Sequence, residues 1–110
     1  MKPPITISIL IGLLCLSPIS SYAIETYTIA IKDHQFEPAE VTIPVDTKVK
    51  LLVRNLDTTP EEFESDELHR EKIIRGNSQA IIFIGPLKPG SYPFFGEFNP
   101  KTARGQITVK

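Results

Sequence analysis

From Tyr27 onward the chain consists of short runs in which apolar and polar residues alternate, cut by turn-forming residues at intervals of about ten. That spacing leaves no room for ordinary helices and points to two stacked sheets of short strands. Tyr27, Ile29 and Ile31 alternate with Thr28, Ala30 and Lys32, so the first strand has one apolar face. Val41 and Ile43 lead into Pro44. Val49, Leu51 and Val53 alternate with Lys48, Lys50, Leu52 and Arg54, a half-buried strand ending at Asn55. Gln79 to Ile84 is apolar on both faces, which predicts a central strand. The turn Pro86-Leu87-Lys88-Pro89-Gly90 feeds a strand from Tyr92 to Phe95, and Gln106 to Lys110 is expected to close the sheet. No segment of this region combines a helical period with start and stop signals. The expected fold class is all-β, a single sandwich domain without repeats.

The N-terminal segment has a different character. Lys2, the apolar run Ile5 to Leu16 and the small-residue stretch Ser17-Pro18-Ile19-Ser20-Ser21-Tyr22-Ala23 read as a secretory signal, and the run is too short to span a bilayer. Cleavage is expected after Ala23, giving a signal peptide over 1–23 and a domain over 24–110, about 87 residues of the 110. Cys15 is the one cysteine of the chain, and it lies within that signal; Gly12-Leu13-Leu14 before it does not fit a lipoprotein signal. The mature domain therefore has neither thiol nor disulfide. Of 12 basic and 13 acidic side chains only Lys2 leaves with the signal, so the domain carries 11 against 13, a formal charge of −2. That balance, without a basic stripe, excludes nucleic acid as a partner. No Ser-His-Asp or Cys-His set, phosphate-binding Gly loop or zinc spacing is present.

Three phrases in order resemble the cupredoxins. Phe36-Glu37-Pro38 with Val41-Thr42-Ile43-Pro44 and Lys48-Val49-Lys50-Leu51 matches the early strand pair. Leu87-Lys88-Pro89-Gly90-Ser91-Tyr92 matches the turn entering the ligand strand, and Gly105-Gln106-Ile107-Thr108-Val109 matches the last strand. The resemblance spans nearly all of the domain and implies a cupredoxin-like Greek-key β-sandwich. Blue-copper sites use two His, a Cys thiolate and a weak axial Met. Here the ligand loop has Gly96 in place of the Cys, Asn99 near the second His, and Ala103 and Arg104 near the Met, so no type 1 copper site is expected.

Within that fold, the stretch from Glu62 to Lys72 resembles the EfeO-type cupredoxins, especially small periplasmic proteins of FtrB type. This resemblance implies a periplasmic location and a bound copper or iron ion. It also implies a part in high-affinity ferrous iron uptake, beside a periplasmic iron-binding protein and a membrane iron permease. The Glu-aromatic-Glu motif used in such metal sites falls on Glu62 and Glu64; cysteines found in some relatives are replaced by Phe36 and Gly96.

The residues themselves carry a compatible chemistry. An extended Glu62 to Ser65 sets Glu62 and Glu64 on one face, roughly 7 Å apart, and turns Phe63 to the other. By the same period Glu67, His69 and Glu71 form a second row opposite Leu68 and Arg70. Like charges on one face repel, and a divalent cation between them removes that penalty. Carboxylates suit hard ions and imidazole extends the range to iron, copper and zinc, so the mixed set fits Fe(II) or Cu(II). The alternative is that these are edge-strand charges that keep the domain soluble and block sheet-to-sheet pairing. His69 is either a neutral metal ligand or a surface imidazole paired with Glu. Glu97, one residue past the position of the missing Cys, is a further candidate ligand or an ordinary polar loop residue. His34, next to Asp33, reads as a turn residue, with ligation as its other role, and Asn99-Pro100 as a turn starter. Phe94 is expected in the core; Phe95 and Phe98 are open to core or surface.

The leading functional expectation is a metal-binding protein that binds or oxidises Fe(II) and hands iron to a permease, through Glu62, Glu64, Glu67, His69 and Glu97. Oxidation requires an electron acceptor, and the sequence identifies none. The competing expectation is a metal-free sandwich that docks on the permease or its periplasmic partner through the late loop and exposed aromatics. A blue-copper electron carrier would need a thiolate that the mature domain lacks.

Overall fold

In the computed structural model, which describes residues 23–110, each alternating run becomes a strand. The expected signal segment falls, up to Tyr22, outside the described residues. The strands are β1 (Thr26–Lys32), β2 (Gln35–Glu37), β3 (Glu40–Ile43), β4 (Val49–Asn55), β5 (Glu61–Ser65), β6 (Arg70–Ile74), β7 (Gln79–Ile84), β8 (Gly90–Phe95) and β9 (Arg104–Val109). They form two sheets, one ordered β2-β1-β4-β7 and the other β3-β9-β8-β5-β6. The pairs β1/β4 and β3/β9 are parallel and the rest antiparallel. No described helix is long and apolar enough to cross a membrane.

The alternating residues predict the buried face well. Ile29 and Ile31 of β1, Val49, Leu51 and Val53 of β4, and Ile107 and Val109 of β9 all lie in the core between the sheets. At its centre three rings meet: Phe94 packs on Phe36 at 4.9 Å and on Phe63 at 4.8 Å between centroids. Gly105 is required beside them, because a Cβ there would come within 2.3 Å of the Phe94 ring and 2.5 Å of the Ala39 carbonyl oxygen.

Two expectations are corrected. The apolar run Gln79–Ile84 is not central; β7 is an edge strand, with Ile82 and Ile84 buried and Ile81 and Phe83 exposed on its outer face. Lys48 and Lys50 lie over the Phe83 ring, at 5.1 and 5.7 Å, and Arg70 Nε donates to the Phe83 carbonyl at 3.0 Å, so charges cover this edge. The last strand, β9, does not close its sheet but runs inside it, between β3 and β8.

Candidate metal centre

Strand β5 carries carboxylates to both sides of its sheet. Glu62 and Glu64 share one face while Phe63 enters the core, as the period of two requires. Glu64 lies directly opposite Glu71 of β6 and Phe95 of β8. The segment after β8 returns over β5, and Glu62 Oε1 accepts the backbone N–H of Glu97 at 2.9 Å. One carboxylate oxygen from each of Glu62, Glu64, Glu71 and Glu97 thereby lies within 4.8 Å of the other three. Glu62 is buried, Glu64 half-buried, and Glu71 and Glu97 are exposed, so the group is anchored on one side and open on the other. Loss of solvent, then the neighbouring charges of Glu62, Glu71 and Glu97, push the Glu64 carboxyl up to about 7.

Of the expected ligands, Glu62, Glu64 and Glu97 come together. Glu67 and His69 do not join them. The row drawn from Glu67 through His69 to Glu71 is broken, because Asp66 to His69 form the turn of the β5–β6 hairpin and only Glu71 lies in a strand. Glu67 is exposed on that turn, and His69 has a left-handed backbone (φ 54°). His69 lines an open hollow of about 450 Å³ with Glu64, Ser65, Asp66, Arg70 and Glu71, beside the carboxylates and outside their ligand group.

A second group lies on the opposite side of β5. Glu61 is fully buried; one of its oxygens meets His34 Nδ1, and both accept Asn99 Nδ2, at 3.1 and 3.2 Å. Asp57 Oδ2 is 3.6 Å from the same imidazole nitrogen. The hydrogen bond that His34 donates to Glu61, together with the charges of Glu61, Asp57 and Asp33, raises the affinity of His34 for its proton against the smaller effect of burial. Burial disfavours the Asp57 charge, but the N–H groups of His34 and Asp33 outweigh it and lower its pKa. In the sequence His34 reads as a turn residue with ligation as its other role, whereas Asp57 and Glu61 carry no signal that marks them as its partners. Glu61 was overlooked because it shares the inward face of Phe63, where the pattern calls for an apolar residue.

A blue-copper site does not fit here. The described residues contain no cysteine. A Cβ at Gly96 would sit 2.8 Å from the Glu62 carbonyl oxygen and 3.0 Å from Ala103 Cβ, so a thiolate at that position needs the loop to move. Asn99 instead bonds Glu61, and Ala103 is buried without a donor atom.

This architecture recurs in solved structures. The metal-binding domain of the Cu(I)-exporting P-type ATPase CopA of Streptococcus pneumoniae D39 superposes with a TM-score of 0.66 at 14% identity, over 79% of this chain and 94% of that one. Auracyanin A of Chloroflexus aurantiacus gives 0.67 at 11%, over 77% and 98%. Amicyanin of Paracoccus versutus gives 0.61 at 18%, over 84% and 86%. At such identities the likeness concerns the fold. An uncharacterized protein of Rickettsia prowazekii (strain Madrid E) is 51% identical over 81 residues, which cover 74% of this chain and 65% of that protein's length. The cupredoxin-like domain matches residues 5–109, and with the two-sheet fold and the phrases around Phe36, Leu87 and Gly105 this establishes that the chain belongs to the cupredoxin-like family.

Proposed function

We propose that this is a periplasmic, EfeO-type cupredoxin-like protein that binds ferrous iron as cargo through Glu62, Glu64, Glu71 and Glu97, and delivers it toward a membrane iron permease alongside a periplasmic iron-binding protein. The observation that carries the reading is the convergence of four carboxylates, one of them buried, on one face of β5. All-oxygen donors suit a hard or borderline divalent ion, and a dication offsets both the loss of solvent and the repulsion that together hold the Glu64 carboxyl at about 7. Glu62, tied to the loop by the Glu97 N–H, holds the inner side, while exposed Glu71 and Glu97 leave the outer side free for entry and transfer. Fold neighbours that handle copper, the CopA metal-binding domain and auracyanin A, fit a metal role for this scaffold, here without a thiolate among the described residues.

Calorimetric titration of metal-free protein with Fe(II) under anaerobic conditions tests this. Binding in the micromolar range or tighter is expected, weakened by about tenfold or more in Glu64→Gln/Glu71→Gln. Absence of binding, or equal binding by the variant, overturns the assignment. The docking-module reading rests on Phe98, 47% exposed beside Glu97 on the loop; it predicts that metal leaves the melting temperature unchanged.

A further inference from the structure

Glu61 is the residue of β5 least explained by the carboxylate site. Its side chain is 1% exposed, and burying a carboxylate is costly unless its charge is matched. An imidazolium at His34 would match only one of the two carboxylates that converge on it, since Asp57 also approaches Nδ1. A dication bound by neutral imidazole balances both.

The three side chains are also held in place from behind. Asp57 accepts the N–H groups of Asp33 and His34, at 2.8 and 3.0 Å. These two residues have left-handed backbones, φ 53° and 59°, in the tight turn between β1 and β2. Asn55 Oδ1 in turn accepts the Asp57 N–H at 2.9 Å, and Asn99 orients Glu61. One ligand atom from each of His34, Asp57 and Glu61 lies within 4.8 Å of the others. The His34 side chain is 45% exposed and borders a hollow of about 360 Å³ that Phe98, Asn99, Pro100, Lys101 and Thr102 also line, giving an ion a way in.

We propose that His34, Asp57 and Glu61 form a second metal site, selective for a borderline divalent transition-metal ion and separate from the carboxylate group on the other side of β5. One imidazole nitrogen with two carboxylate oxygens suits Cu(II), Ni(II), Zn(II) or Fe(II) over calcium or magnesium. The site does not depend on the iron reading: Glu61 and Glu62 are successive residues of one strand and point to opposite faces.

Cu(II) is the probe. One equivalent is added to tag-free, metal-free protein, and pulsed electron paramagnetic resonance reads the modulation from the remote nitrogen of a coordinated imidazole. One imidazole is expected, lost in His34→Asn and retained in His69→Asn and in Glu64→Gln/Glu71→Gln. Asn suits the left-handed turn, and circular dichroism checks that His34→Asn is folded. Cu(II) affinity should fall at least about tenfold in His34→Asn, since losing even an outer partner of a ligand costs 10–100-fold. Glu61→Gln, which can still accept from Asn99, should weaken binding similarly. The proposal is overturned if no imidazole modulation appears, if it persists in His34→Asn, or if it vanishes in His69→Asn or in the Glu64/Glu71 variant. Fe(II) titration of His34→Asn reads the carboxylate site independently, so failure of one site is told apart from failure of the other.

Discussion

Two titrating residues on either side of β5 give the metal-free protein a definite pH response. Glu64 has its ordinary value of 4.5 raised to about 7, so between those values the folded chain holds a proton that the unfolded chain has released. Stability from this group therefore falls as pH rises through that window. His34 is also raised above its ordinary 6.5; its contribution is complete below that value and is lost as pH climbs through the folded one. The signs agree, whereas Asp57, lowered from 3.8, contributes stability that is lost only on acidification below that window. The melting temperature of metal-free protein should drop from about pH 5 to about pH 8, and Glu64→Gln should remove part of the slope. A flat profile in the wild type would show that neither group is shifted in solution. Glu62 and Glu64 were legible in the sequence because a period of two needs only a strand to put them on one face. Glu71 and Glu97 converge on them through cross-strand register and a loop return, and spacing along the chain encodes neither. Glu61 was illegible for the opposite reason, since the inward position it holds near the end of the sandwich looks in the pattern like any core site.

Among the elements, the segment joining β4 to β5 does most to fix the second group. Asn55 is buried, and its Nδ2 reaches the carbonyl oxygens of Thr59, Ile74 and Arg75 at 2.8, 3.1 and 3.2 Å, while its Oδ1 holds the Asp57 N–H. Asn55→Ala leaves these groups to find other partners in a confined space, and should cost about 2–3 kcal/mol in urea unfolding. It should also loosen Asp57 and thus weaken Cu(II) binding, while leaving Fe(II) binding at Glu64 and Glu71 nearly unchanged. A loss below about 0.5 kcal/mol would mean that the connection holds its shape without this side chain. In the sequence Asn55 is visible only as the end of a strand. The hairpin of β5 and β6 explains the other misreading: Ser65 Oγ accepts the Leu68 N–H and donates to the Pro93 carbonyl, which stabilises a turn where the alternating charges suggested a continuous strand. For β7, the apolar residues on both faces are real, but on the outer face Phe83 meets the Lys48 and Lys50 ammonium groups rather than another strand, and Ile81 stays exposed.

At the scale of the molecule, the two sheets were legible because burial on one face and turns at regular spacing leave few other solutions, and the strand order was not, because parallel pairs such as β1/β4 depend on crossovers. The same architecture sets how metal and stability are linked. The carboxylate group gathers β5, β6 and the segment after β8, so an ion there joins strands that unfolding must separate. An ion that binds only the folded state at about 100 times its Kd adds about 2.7 kcal/mol. For a domain of this size each kcal/mol is about 4–8 °C, so Fe(II) should raise the melting temperature by roughly 10–20 °C. The rise should be larger near pH 8 than near pH 5, because protons compete for Glu64 in the lower range. Metal should thus oppose the pH trend of the metal-free protein and flatten it. Glu64→Gln/Glu71→Gln should show a clearly smaller rise than wild type at about pH 8; a rise equal to wild type would locate the stabilising ion elsewhere, with the His34 group the first place to look.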